Sequence, residues 1–107
     1  VLIEQRVYTL KPGSLLGFLR LYEAEGLALQ REVLGNLVGY FTSEVGKLNR
    51  VIHLWGYDSF EDRARRRTQL HGDPAWREFL SKAGPLVESQ SNELWLPTAF
   101  SPLGNAA

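Results

Sequence analysis

Leu37-Val38-Gly39-Tyr40-Phe41-Thr42-Ser43-Glu44-Val45-Gly46-Lys47-Leu48-Asn49-Arg50-Val51-Ile52-His53-Leu54-Trp55-Gly56-Tyr57 is the stretch from which the fold is read. Aromatic and β-branched residues fill both arms, and glycine and asparagine supply turn geometry between them, so the stretch reads as a β-hairpin. A turn at Gly46-Lys47-Leu48-Asn49 places Tyr40 opposite Trp55, Thr42 opposite His53 and Val38 opposite Tyr57. Side chains alternate across a strand, so the other face pairs Gly39 with Gly56 and carries Leu37, Phe41, Ile52 and Leu54. One face is thus apolar with a glycine dent. The other sets a histidine among large aromatic rings.

Before the hairpin, a strand is expected from Leu2 to about Leu10, stopped by the Lys11-Pro12-Gly13 turn. Ser14 can cap a helix that carries Leu15, Phe18, Leu19, Tyr22, Gly26, Leu29 and Val33 at helical spacing. Gly26 inside that helix costs roughly 1 kcal/mol against alanine, so a close contact or a break is expected there. Gly35-Asn36 ends the helix.

After the hairpin, Asp58-Ser59-Phe60-Glu61-Asp62 opens a second helix. A capping box fits either Ser59 with Asp62 or Asp58 with Glu61. That helix is rich in arginine and stops near His71-Gly72. Asp73-Pro74 restarts it with a capping aspartate and a proline at the first helical position. Trp76, Phe79 and Leu80 form its apolar stripe, with Trp76 as an anchor onto the sheet, and Gly84-Pro85 ends it. A last strand runs from Leu86 to Leu96.

The order is strand, helix, strand, strand, helix, strand, an α+β arrangement. Right-handed crossovers put the first and third strands in the middle of a four-stranded antiparallel sheet. Residues 1–96 form one domain. Residues 97–107 form a tail whose end is expected to be disordered, while Phe100 and Leu103 call for an apolar surface. The Gly39/Gly56 face is the expected seat of the helices, since glycines admit a close backbone approach. That leaves the Tyr40/Trp55/His53 face bare, sharing Glu4, Arg6 and Tyr8. So much exposed aromatic surface predicts a homodimer built from two such faces, with room for higher assembly.

At 107 residues, 44% of them hydrophobic, the chain is an ordinary globular domain. Twelve basic residues balance twelve acidic ones, which removes the electrostatic case for nucleic acid or an anionic membrane as principal partner. With no cysteine there is no disulfide, thiolate metal site or cysteine nucleophile. A cytoplasmic protein is expected, without signal peptide, membrane insertion, metal or cofactor. The sequence holds neither a phosphate loop nor a dinucleotide glycine pattern. No serine stands in a nucleophile elbow.

The run Leu37–Gly46, followed by Leu48-Asn49-Arg50-Val51-Ile52-His53-Leu54-Trp55, resembles the NIPSNAP signature. Asp73-Pro74-Ala75-Trp76, Tyr8-Thr9-Leu10-Lys11-Pro12-Gly13 and the terminal Pro97 and Phe100-Ser101-Pro102-Leu103 resemble it too. The resemblance covers nearly the whole chain. It implies a ferredoxin-like βαββαβ subunit in a dimeric α+β barrel. It carries over no agreed reaction and no catalytic residues. Eukaryotic members are associated with mitochondria and vesicle traffic, and this compact chain is more similar to bacterial single-domain members.

His53 is the first candidate for chemistry, because imidazole titrates near neutrality. Tyr8, Tyr40, Trp55 and Tyr57 are expected to line an apolar cavity, with Arg6 to hold an anionic group and Glu4 or Glu44 to orient the imidazole. A lone strand histidine is more often a hydrogen-bonded structural residue, and a dimer interface alone would account for the aromatics. Arg63, Arg66 and Arg67 lie on one side of their helix, which reads first as a solvated face paired with Glu61 and Asp62. Two functions follow. One is binding, or transformation, of a small apolar or aromatic molecule in the barrel, in the manner of cofactor-independent monooxygenases and isomerases of that architecture. The other is a non-catalytic protein-interaction module.

Overall fold

The computed structural model describes residues 1–104. The expected disorder of the tail's end concerns 105–107, which lie outside them. The strands are β1 (Leu2–Leu10), β2 (Asn36–Thr42), β3 (Arg50–Tyr57) and β4 (Val87–Trp95). The helices are α1 (Leu15–Glu25), α2 (Leu27–Leu34), α3 (Phe60–His71) and α4 (Pro74–Ala83), with a 3₁₀ turn at Gly84–Leu86. The sheet order is β2-β3-β1-β4, antiparallel throughout, with β1 and β3 central as the crossover rule requires. No helix among the described residues is long and apolar enough to cross a membrane.

The local signals for helix starts hold at α3 and α4. Ser59 Oγ accepts from the Asp62 amide at 3.0 Å, while Asp62 Oδ2 accepts from the Asp58 amide at 3.1 Å. Of the two boxes, the Ser59–Asp62 pair is therefore the one used. Asp73 Oδ1 accepts from the Ala75 amide at 2.8 Å, and Pro74 opens α4. Ser14 is the N-cap of α1 by position, but its side chain makes no cap bond.

Gly26 separates α1 from α2, so it is both a break and a close contact. A Cβ placed there would lie 2.9 Å from Tyr22 Cδ1 and 3.1 Å from Phe79 Cζ. Gly26→Val is expected to lose about 1–3 kcal/mol through overpacking, read as a lower denaturant midpoint. A variant with the wild-type midpoint would mean that α1, α2 and α4 meet more loosely than described.

The hairpin register differs from the expected one. Ser43 N donates to Arg50 O at 3.1 Å, closing a longer loop whose Arg50 Nε also bonds Ser43 Oγ and Lys47 O. The strands pair two residues out from the tight-turn register: Tyr40 faces His53, Thr42 faces Val51, and Gly39 faces Leu54. A bulge between Leu37 and Gly39 then sets Leu37 opposite Trp55 and Asn36 opposite Gly56. Gly39 and Gly56 are not paired.

The helices also cover the opposite face from the one expected. Leu2, Glu4, Leu10, Val51, His53, Trp55 and Tyr57 are buried, and Phe18, Tyr22, Val33, Leu34, Leu70, Trp76 and Phe79 complete the core from the helical side. The stripe of α1 is itself aromatic, and it buries more apolar area against rings than against glycines. Tyr22 stacks on Tyr40 at 4.9 Å between centroids, and Phe18 meets the Tyr8 ring edge-on at 6.2 Å. The face left bare carries Val7, Phe41, Ile52, Leu54 and Trp95, with Phe41 and Trp95 each about half exposed. Pro97, Ser101 and Leu103 of the tail lie at one end of it, beside Ile3, Leu54 and Trp95.

Candidate functional site

A cavity of about 230 Å³ opens between the sheet and the helices. Tyr8, Tyr40 and His53 line it from the sheet, Phe18 and Tyr22 from α1, and Trp76 and Phe79 from α4. Polar groups are few: Gln30, whose Oε1 accepts from Tyr22 Oη at 2.5 Å, and Glu88, Ser89 and Gln90 of β4 at the rim. Burial raises the pKa of Tyr22 and Tyr40 well beyond that of free tyrosine, so both hydroxyls stay protonated.

His53 is 1% exposed. Its ring stacks on Tyr40 at 4.7 Å and 15°, and meets the Tyr8 ring edge-on at 5.0 Å. Trp55 Nε1 donates to His53 Nδ1 at 2.7 Å. An indole N–H can only donate, so Nδ1 must be the acceptor and the neutral ring carries its proton on Nε2. Burial first, then the positive charges of Arg6 and Arg67, push the His53 pKa down to about 3, with Glu4 pulling the other way. The ring is neutral at ordinary pH. Its Nε2 is buried and has no partner among the described residues.

The six residues expected at the site are brought to one side of the sheet but divide into two groups. Tyr8, Tyr40 and His53 line the cavity, and Trp55, fully buried, stands behind His53 as its donor. Arg6 is not in the lining. It donates from Nε to Tyr8 Oη at 3.2 Å and from Nη1 to Glu4 Oε2 at 3.1 Å. Tyr57 lies beyond, its pKa raised to about 12 by burial and by the charge of Glu4.

Glu4 is fully buried, and its Oε2 also accepts from Arg63 at 2.7 Å and Asn92 at 2.9 Å. Burial works to raise its pKa. The hydrogen bonds from Arg63 and Asn92 and the charges of Arg6 and Arg63 outweigh that and hold it at about 2. Its role is to anchor arginines, and the imidazole is oriented by Trp55 instead. Glu44 is exposed in the hairpin loop.

The helical lining from Phe18, Tyr22, Gln30, Trp76 and Phe79 was not among the expected site residues. Its signal was present, because these side chains form the inward stripes of α1, α2 and α4. No group of three or more histidine, aspartate or glutamate side chains placed to hold a metal occurs among the described residues.

The NIPSNAP family model matches residues 3–102. A NipSnap homologue from Dictyostelium discoideum is 38% identical over 94 residues, covering 88% of this chain and 41% of that protein. Human NipSnap homolog 3A is 36% identical over 96 residues, covering 88% of this chain and 38% of that protein. The chain thus spans about two fifths of the length of these curated relatives. A crystal structure of a NIPSNAP family protein from Agrobacterium tumefaciens superposes with a TM-score of 0.93 at 45% identity, covering 95% of this chain and 97% of that one. An uncharacterized NIPSNAP-like domain protein from Burkholderia xenovorans gives 0.92 at 46%, covering 97% and 90%. A proposed antibiotic biosynthesis monooxygenase from Chloroflexus aurantiacus shares the fold alone, with a TM-score of 0.58 at 12% identity over 97% of this chain and 100% of that one. On its hairpin, its caps and its whole-chain match, this protein belongs to the NIPSNAP family.

Proposed function

We propose that the protein binds a small aromatic or apolar molecule carrying one hydrogen-bond acceptor, in the cavity between sheet and helices. The observation that carries this is an aromatic-walled cavity lined by His53, whose buried Nε2–H has no partner among the described residues. A buried donor without a partner costs about 1–3 kcal/mol, and a ligand carbonyl or phenol oxygen would recover it. The volume lies below the roughly 300–1,000 Å³ of sites for drug-sized ligands, which favours a small occupant. His53 acts here as a donor to the ligand. Its Nδ1 lone pair is taken by Trp55 and its Nε2 already holds a proton, so it is no base at neutral pH.

The test uses matched pairs of small aromatic compounds, with and without a carbonyl or hydroxyl, screened by ligand-observed NMR. The oxygen-bearing member is expected to bind about tenfold more tightly, the worth of one buried hydrogen bond. His53→Leu should erase the difference while keeping binding of the apolar member. Equal binding of both members by the wild type would refute the donor role.

The bare sheet face supports a second reading, a homodimer joined through Phe41, Ile52, Leu54 and Trp95, with Phe100 of the tail, 90% exposed in the single chain, reaching the partner subunit. Apolar surface of this kind is unusual on a monomer. Sedimentation should show two chains for the wild type and one for Leu54→Glu. Truncation after Leu96 should weaken association. A wild type that sediments as a monomer at micromolar concentration removes the reading.

A further inference from the structure

The cavity leaves one charged feature unused. Arg6 and Arg63 bond one carboxylate, Glu4, and Arg67 lies close enough to feel the charges of all three, an excess of two positive charges in a partly buried place. Arg6 and Arg63 have side chains only 13% and 22% exposed and both bond Glu4 Oε2. Arg67 is half-buried, and its guanidinium makes no hydrogen bond or ion pair among the described residues, while its carbonyl oxygen meets His71 Nδ1 at 3.1 Å. Its neighbours Arg65 and Arg66 are satisfied by Asp62 at 2.6 and 2.9 Å, so the bland account of a paired arginine face holds for them and fails at Arg67.

Two further donors in the cluster are buried without partners: Arg63 Nε and the Tyr57 hydroxyl. The one neighbouring acceptor left over is Glu4 Oε1. Arg67, Thr68 and His71 line an open depression of about 360 Å³ at the surface of the cluster. Half-buried guanidinium groups in excess of carboxylates are costly unless a counter-charge meets them. Guanidinium geometry matches the oxygens of phosphate and carboxylate.

We propose that Arg67, with Arg6 and Arg63 behind it, forms an oxyanion site for a phosphate or carboxylate group entering beside Thr68 and His71. It does not depend on what fills the aromatic cavity. The free anion and the acidic head of a larger molecule would offer it the same oxygens.

The experiment is thermal unfolding of the full chain, titrated with inorganic phosphate and separately with acetate, against chloride at matched ionic strength. The wild type is expected to show a saturable rise in Tm of several degrees, as for any ligand that binds only the folded state. Arg65→Gln, away from the cluster, should keep that response. Arg67→Gln should lose it, and in anion-free buffer should melt no lower than the wild type, because it removes an uncompensated charge. Comparing the two variants also cancels the general stabilisation that phosphate gives by exclusion from protein surfaces. Saturation by phosphate assigns a phosphate group, and saturation by acetate alone assigns a carboxylate. A wild-type response no greater than chloride's, or an equal response in Arg67→Gln, would overturn the site.

Discussion

Glu4→Gln should cost about 3–5 kcal/mol of stability, the range for removing one partner of a buried ion pair. The substitution keeps size and shape and removes only the charge. Glu4 is fully buried, and Arg6 and Arg63 both donate to its Oε2. Without it, guanidinium groups from β1 and α3 face one another with nothing between them. Arg63 also ties α3 to the central strand across 59 residues of sequence, so the loss extends beyond local electrostatics. Urea unfolding would show a lowered midpoint with an unchanged slope. A loss under about 1 kcal/mol would mean the arginines reach water when Glu4 is neutral, the behaviour of a surface pair.

Acid should destabilise the protein well above the carboxylate range, and His53 should be the reason. In the unfolded chain a histidine takes up a proton below its ordinary pKa of 6.5, whereas in the fold His53 stays neutral down to about 3. Between those values the unfolded state binds more protons, so stability rises with pH and falls as the solution is acidified. At 1.36 kcal/mol per unit, acidification from pH 7 to pH 4.5 is expected to remove about 2–3 kcal/mol through this group. Glu4 adds to the loss only below its unfolded value of 4.5, down to about 2. His53→Gln should reduce the slope between pH 7 and pH 4.5 to the part left by His71, whose pKa is also lowered by burial and by the charge of Arg67, while leaving the lower limb in place. A variant with the same slope as the wild type in that interval would show that His53 is protonated in the fold.

Element order was legible because it rests on local punctuation, Pro12-Gly13, Ser59 with Asp62, Asp73-Pro74 and Gly84-Pro85, and sheet order followed from it by the crossover rule. The hairpin register was not. A slip of two residues keeps side chains on their own face, so the alternation of Tyr40, His53 and Trp55 is the same in either register. Only the bulge changes a face, turning Leu37 from its expected place beside Phe41 to the Trp55 side. What decided it was the closure of the loop at Ser43 and Arg50, and a seven-residue loop carries less pattern than a four-residue turn. The choice of covered face failed for a related reason. Both faces of β3 are apolar, so periodicity cannot rank them, and the deciding partner was the aromatic stripe of α1. The inward carboxylate at Glu4 lay out of reach of any local pattern, since its partners come from α3 and β4. By contrast, the coupling of His53 to Trp55 was within reach, since residues two apart on a strand share a face.

That coupling restricts the routes by which this pocket can change. As long as Trp55 donates to Nδ1, no substitution in the lining alone turns His53 into a proton shuttle, because the ring has no free lone pair to receive a proton. Trp55→Phe would free Nδ1 and make either ring nitrogen available to bear the hydrogen. Any evolutionary or engineered path from holding a molecule to moving its protons therefore runs through position 55 first, and variants built in another order would meet a histidine that does not respond.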